Sequence, residues 1–289
     1  MIENQPLGPW TTLGVGGAAR WFAEPRTPSD LAAVLRDLGD TPLLVLGRGS
    51  NMLVADTGWP GLAVRLGAGF KWQRRSGDVV SAGGGTSMPA LAAWLATEGL
   101  SGLEFAAGIP ATVGGSVRMN AGAHGGQTAD LLVSVTVASP ACPEGEEVAP
   151  ASLGFGYRRS SLPPGGIVVA ASWRLVPDDP AAIRARLDEL RAWRRATQPL
   201  RQRNCGSVFT NPPGDSAGRL IEAAGLKGRS VGGATVSDKH ANFIVVEPSK
   251  ATAADVLALI REVRAEVAAA GGPLLEPEVR LVGFGEEPW

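Results

Sequence analysis

The chain has 289 residues, 44% of them hydrophobic, and its 27 Lys and Arg nearly balance 28 Asp and Glu for a net charge of −1. That length points to about two domains. The balanced charge excludes a basic nucleic-acid surface, and no apolar run of about 18 residues supplies a membrane-spanning helix. The start MIENQPLGPW lacks the cationic and apolar features of a secretory signal, so a cytoplasmic location and no membrane partner are expected. Cys142 and Cys205 are the only cysteines and His124 and His240 the only histidines, so no metal site is expected. The 39 glycines are in excess of the usual share of about 7%, and they concentrate in the first half of the chain.

In chain order, residues 12–25 read as a loop entering a short strand. Ser29 or Asp30 caps a helix over Leu31–Leu38. Short apolar runs at Leu43–Leu46 and Met52–Ala55 read as strands joined by the turn GRGSN, Gly47–Asn51. Strands follow at Leu62–Leu66 and Val79–Ala82, then a helix at Met88–Glu98 closed by Gly99. The stretch Gly102–Gly122 reads as a packed, glycine-rich loop. Leu131–Ala138 and Ile167–Val176 are strands, and Ala181–Ala196 is a basic amphipathic helix. Beyond it come a strand at Val208–Thr210, a helix at Ala217–Ala224, a strand at Phe243–Val246, a helix at Thr252–Ala270 and a last strand, Leu274–Val282. The division expected is 1–178, in two parts of about 1–57 and 58–178, then 179–273, then a C-terminal strand segment 274–289.

Two glycine motifs bear on nucleotides. Gly14–Ala19 matches a dinucleotide fingerprint, but Trp21, Phe22 and Pro25 follow it, so no helix opens there and the motif fails its structural requirement. Gly47, Arg48, Gly49, Ser50 and Asn51 instead form a tight turn between strands, whose consecutive N–H groups suit a pyrophosphate. In Gly102–Gly122 the residues Gly108, Ile109, Pro110, Thr112, Gly114, Gly115, Ser116, Asn120 and Gly122 combine bare backbone with apolar anchors, which fits a loop packed against a flat anionic cofactor.

GRGSNMLVAD, GLEFAAGIPATVGGSVRMNAGAHGG, GYRRS, CGSVFTNPPGDSAGRLIEAAGLKG, SDKHANFIV and LLEPEVRLVG occur in this order between about Leu13 and Gly283. Together they resemble the UDP-N-acetylenolpyruvoylglucosamine reductase family. The resemblance implies an α+β protein. Its FAD-binding module, of the vanillyl-alcohol-oxidase type, spans 1–178, and a smaller α+β substrate-binding domain spans 179–273. It implies non-covalent FAD, NADPH as co-substrate and a small-molecule nucleotide-sugar substrate in peptidoglycan precursor synthesis; a monomer is expected, though no sequence feature fixes the oligomeric state. The short connection between Val176 and Asn204 looks like the subclass lacking a tyrosine loop; the single tyrosine, Tyr157, lies elsewhere.

By the same resemblance, Ser207 in the G-S-x-F motif is the proton donor. Arg158 in Y-R-x-S faces the developing enolate, and Glu278 in L-x-x-E-V orients or relays. Tyr157, Asn211 and Arg280 are the substrate-binding candidates, with His240 and Asn242 behind them. Arg159 and Glu276 are neighbours off the motif register, and Cys205 reads as structural. Thr210 stands where the family usually has lysine. The competing expectation is another FAD-linked oxidase of the same fold, acting on a sugar or hydroxy acid, for which His124 would be a covalent flavin attachment point.

Overall fold

A computed structural model describes residues 1–285. Residues 286–289, the end of the expected C-terminal strand segment, lie outside the described residues. The chain is α+β and divides into two compact units, each discontinuous in sequence. The first comprises Phe22–Arg48 and Leu62–Arg194, with Met1; the second comprises Ile2–Trp21, Gly49–Gly61 and the chain from Arg195 onward. The sequence division near Asp178 differs from this. The helix that begins at Pro180 buries Ile183 and Leu187 in the core of the first unit, which carries the boundary on to Arg194.

In the first unit, helix α1 (Pro28–Arg36) starts one turn earlier than expected. Thr27 is its cap, and Asp30 is the reciprocal partner of a capping box. A five-stranded antiparallel sheet runs in the order Glu146–Val148, Leu132–Ala138, Ile167–Arg174, Val79–Gly83, Gln73–Ser76. Val80, Ala82, Val135, Val137, Ala171 and Trp173 bury its inner face, and the Trp173 indole N–H donates to the Thr128 carbonyl at 3.0 Å. Helix α2 (Met88–Glu98) lays Met88, Leu91, Ala92 and Leu95 into the same core and ends at left-handed Gly99.

The stretch expected as a packed loop contains helix α3 (Val113–Met119) instead. Two glycines in its first turn disfavour a helix by about 1 kcal/mol each. Packing overrides that propensity: a Cβ at Gly114 would lie 3.0 Å from the Val168 carbonyl, so glycine lets the helix lie directly on the sheet. Helix α4 (Pro180–Thr197) is anchored through Arg186, which meets Glu104 Oε1 at 2.9 Å and Asp178 Oδ2 at 2.5 Å.

Burial alone would raise the Glu104 pKa, but hydrogen bonds from Ser101, the Gly102 N–H and Arg186 outweigh it and hold the carboxyl below its ordinary 4.5. A folded pKa below the unfolded one means that the ionised form stabilises the fold above 4.5 and that this support fades as pH falls through the lowered value. Glu104→Gln is therefore expected to flatten the melting temperature against pH as pH falls below 4.5, while lowering it at pH 7. A series of thermal melts checks both.

In the second unit a four-stranded antiparallel sheet runs Arg203–Asn204, Ile244–Val246, Ala234–Val236, Ser230–Val231. Helices α5 (Ala217–Ala223) and α6 (Ala253–Ala269) bury Ile221, Val256, Ile260 and Val263 in its core. The α6 N-terminus takes a capping box from Thr252 and Asp255, and the Asp56 carboxylate accepts from the N–H groups of Ala253 (2.8 Å) and Ala254 (2.9 Å). Two expected strands differ. Val208–Thr210 is extended chain held by isolated bonds, with a bridge from Phe209 to Pro277. Leu274–Val282 contracts to a strand at Arg280–Val282, pairing in parallel with Met52–Val54. Pro277 explains the contraction, since it has no N–H to give a ladder.

Candidate functional site

The first unit carries Gly47 and Arg48, the Gly102–Gly122 stretch and the Tyr157–Ser160 turn. Thr112 caps α3 through its hydroxyl, which accepts from the Gly115 N–H at 3.2 Å. The Val113 N–H donates to Thr86 and that of Gly114 to Gly84, so this first turn has its donors taken up inside the protein. Gly47 lies against the Thr112 hydroxyl, 2.9 Å from where a Cβ would sit, and Gly108 makes room for the Arg194 side chain, 2.4 Å from its own missing Cβ.

The turn Gly47–Asn51 is different. None of its five N–H groups donates to a partner among the described residues. Ser116 is fully buried within α3, and its hydroxyl has no partner among the described residues. A run of open backbone donors is what an anionic dinucleotide needs, so the residues present fit FAD.

Residues 156–159 are a tight turn closed in both directions. The Gly156 N–H donates to the Arg159 carbonyl (3.1 Å) and the Arg159 N–H donates to the Gly156 carbonyl (3.2 Å). Arg158 and Arg159 are separated by turn geometry, not strand alternation, and Arg158 adopts a left-handed φ of 57°. Its guanidinium donates to the Gly122 carbonyl at 2.8 Å and lies over the Tyr157 ring, 4.8 Å from the centroid. Tyr157 is exposed. Asn120 ends α3 in the left-handed region and is buried, with its amide bonded to Gly156, Gln127 and Ala129. His124 occupies a two-residue hairpin turn with its ring edge-on to Trp193, at 4.7 Å.

The second unit brings Ser207, Glu278, Asn51 and Asn242 together. The Glu278 N–H donates to the Val208 carbonyl at 2.8 Å, setting Glu278 beside the residue that follows Ser207. The Asn51 amide donates to the Glu278 carbonyl, and the Arg280 N–H donates back to the Asn51 carbonyl, both at 3.2 Å. Ser207 and Glu278 are half-buried, and Arg280, Glu276 and Asn211 are exposed. Asn211 keeps its NH2 group while its Oδ1 accepts from the Ala217 N–H at 3.1 Å. Cys205 is buried and burial pushes its thiol up to about 12, with the charge of Glu278 adding to the effect; it is an inert core residue at neutral pH.

Asn242 acts as a substitute for a strand neighbour. Its buried amide accepts from the Phe209 N–H (2.9 Å) and donates to the Phe209 carbonyl (2.8 Å), and its own carbonyl accepts from the Val208 N–H. Removing it leaves both Phe209 backbone groups buried without partners. Asn242→Ala is expected to cost about 2–4 kcal/mol in urea unfolding, and Asn242→Asp, which keeps the bond from the Phe209 N–H but sets a buried carboxylate oxygen against the Phe209 carbonyl, to cost no less at neutral pH.

Sequence reasoning missed Asp56, whose capping role joins residues almost 200 apart in the chain. The signal for Asn120 was available: an asparagine just after an apolar helical stretch is a C-terminal stop.

An FAD-binding domain model matches residues 19–146, and the model of the UDP-N-acetylenolpyruvoylglucosamine reductase C-terminal domain matches residues 198–282. The UDP-N-acetylenolpyruvoylglucosamine reductase of Sphingopyxis alaskensis is 45% identical over 288 residues, covering 99% of this chain and 96% of that protein. The protein of the same name from Geobacter sulfurreducens is 42% identical over 292 residues, covering 99% and 95%. Among solved structures, the UDP-N-acetylenolpyruvylglucosamine reductase of Thermus caldophilus superposes with a TM-score of 0.86 at 41% identity, covering 98% of this chain and 99% of that one. Agreement of this extent, in both sequence and fold, makes the chain a member of the UDP-N-acetylenolpyruvoylglucosamine reductase family.

Proposed function

We propose that the chain reduces the enolpyruvyl ether of UDP-N-acetylglucosamine enolpyruvate to UDP-N-acetylmuramate, with non-covalent FAD and NADPH, in cytoplasmic synthesis of peptidoglycan precursors. The observation that carries the reading is the chain-long identity of 45% to a relative named as that reductase. The oxidase alternative has no comparable support.

We assign FAD to the matched region 19–146, with the N–H groups of Gly47–Asn51 for its pyrophosphate and Ile109, Pro110 and Thr112 as further contact residues. When bound it supplies the hydride that adds to the β-carbon of the enolpyruvyl group. The chain's own residues have two remaining tasks. Hydride addition leaves negative charge on the α-carbon and its carboxylate, and a guanidinium, which stays protonated, is the right group to stabilise it; we assign this to Arg158. The α-carbon then takes a proton, which we assign to the Ser207 hydroxyl, with Glu278 orienting that hydroxyl and relaying its replacement proton. Tyr157, Asn211 and Arg280 are assigned to the nucleotide sugar.

The test is anaerobic. NADPH should bleach the yellow protein, and stoichiometric enolpyruvyl nucleotide sugar should restore the colour. No restoration with that substrate sinks the assignment. Acid precipitation should leave the chromophore in the supernatant, and colour in the pellet would reject non-covalent binding.

A further inference from the structure

We infer that Asn120 is a positioning residue for Arg158, not a contact to the cofactor. The inference rests on the proposed reaction for the importance of Arg158, but its geometry stands in the first unit alone. Asn120 is 1% exposed and left-handed, with φ of 40°, a conformation that asparagine tolerates better than most residues.

Its amide is fully engaged. Nδ2 donates to Gln127 Oε1 and to the Gly156 carbonyl, both at 3.0 Å, and Oδ1 accepts from the Ala129 N–H at 3.0 Å. An amide has two hydrogens, so no donor remains for a ligand. The direction of these bonds is fixed from further out. Asp130, acceptor-only when ionised, takes the Gln127 Nε2–H at 2.8 Å through Oδ1 and the Gln127 backbone N–H at 3.0 Å through Oδ2. Gln127 must therefore turn its oxygen to Asn120, and Asn120 must turn its NH2 to Gln127 and Gly156. Asp130 thus sets the orientation of an amide it does not touch.

Gly156 opens the turn in which Arg158 sits left-handed. A non-glycine residue in that region costs about 1 kcal/mol or more and persists only where its surroundings over-determine it. Three bonds do so, all to residues 118–122, the end of α3 and the three residues that follow it. Asn120 Nδ2 holds Gly156, the Arg158 guanidinium holds Gly122, and the Ser160 hydroxyl donates to the Arg118 carbonyl at 2.8 Å. Of these, only the Asn120 bond is made by a buried side chain. The same helix that belongs to the glycine-rich stretch thereby sets where the cation for the substrate carboxylate is presented.

Asn120→Gly keeps the left-handed cap and removes the amide; Asn120→Asp keeps the shape and sets an acceptor against two acceptors. For the FAD-loaded variants, we expect FAD affinity, from fluorescence titration, and NADPH bleaching to stay within about threefold of the parent. Reoxidation by the enolpyruvyl nucleotide should fall about 10–100-fold, as expected for displacement of one charged contact. In the double variant with Arg158→Ala, adding Asn120→Gly should cost no more than about twofold beyond Arg158→Ala alone, because one residue acts through the other. Loss of FAD affinity in step with bleaching, or additive effects in the double variant, overturns the inference. If the parent protein is itself not reoxidised, the proposed reaction fails separately. The positioning is then judged by tryptic cleavage after Arg158 and Arg159: faster cleavage in both Asn120 variants supports it and unchanged cleavage overturns it.

Discussion

Ser207→Ala is expected to leave bleaching by NADPH within about twofold of the parent and to slow reoxidation by substrate about 10²–10⁴-fold, the usual range for a lost general acid. The split is the informative part. Bleaching by NADPH needs no proton at a substrate carbon, whereas reoxidation needs one at the α-carbon. Within the second unit Ser207 follows Gly206, a left-handed residue whose N–H is held by Asn204 Oδ1 at 2.9 Å, and precedes Val208, whose carbonyl accepts from the Glu278 N–H. The backbone on both sides is tied down while no bond of the hydroxyl itself is taken by a neighbouring side chain among the described residues. Cys205, two residues before Ser207, is buried with its thiol at about 12, so it does not take over the proton transfer. Stopped-flow absorbance of the two half-reactions is the measurement. Equal slowing of both would make Ser207 a structural turn residue.

Gly49→Ala is expected to destabilise the protein by about 3–5 kcal/mol, combining the left-handed penalty with forced overpacking. Gly49 has φ of 61°, and a Cβ there would lie 2.3 Å from the Trp10 carbonyl oxygen and 2.7 Å from Thr11 Cα. Both are backbone atoms, so no side-chain rotation relieves the clash. The segment it meets is itself pinned, because the Thr12 N–H donates to the Gly49 carbonyl at 3.0 Å. Gly77 is the control. It has φ of 63° with open space around the added methyl, so Gly77→Ala should cost only about 1–2 kcal/mol. Thermal melts of FAD-free protein should therefore separate the two variants by several degrees, and equal melting temperatures would mean that the Trp10–Thr11 segment yields easily.

Local pattern made much of this fold legible. The helix at Met88–Glu98 and its stop at Gly99 stand as read, because a long apolar stripe followed by glycine has one good solution. The helices over 180–197 and 253–269 were equally plain. What was hidden depended on partners far away in sequence. Val113–Met119 looked like loop because glycine is a poor helix former, and only the nearby Val168 backbone explains why glycine is required. The extended reading of Leu274–Val282 failed because most of that segment bonds singly to 208–210 and Asn51, without a regular ladder. At the candidate site, Ser207, Arg158 and Glu278 were named through the family resemblance and not from residue type alone. No pattern in GYRRS reveals that Arg158 has a positive φ, and none shows that Asn242 serves as a strand in miniature.

The second unit's dependence on Met52–Val54 and Asp56 has a consequence for biosynthesis. A parallel strand pairing joins residue 52 to residue 280, and the α6 N-terminus is finished by a carboxylate made some 200 residues earlier. A growing chain therefore keeps its early strand waiting, unpaired on that edge, until Arg280–Val282 has left the ribosome. A recombinant fragment starting at Arg195 lacks both elements, and should be recovered as an aggregating, incompletely folded species even though it contains every residue of the four-stranded sheet.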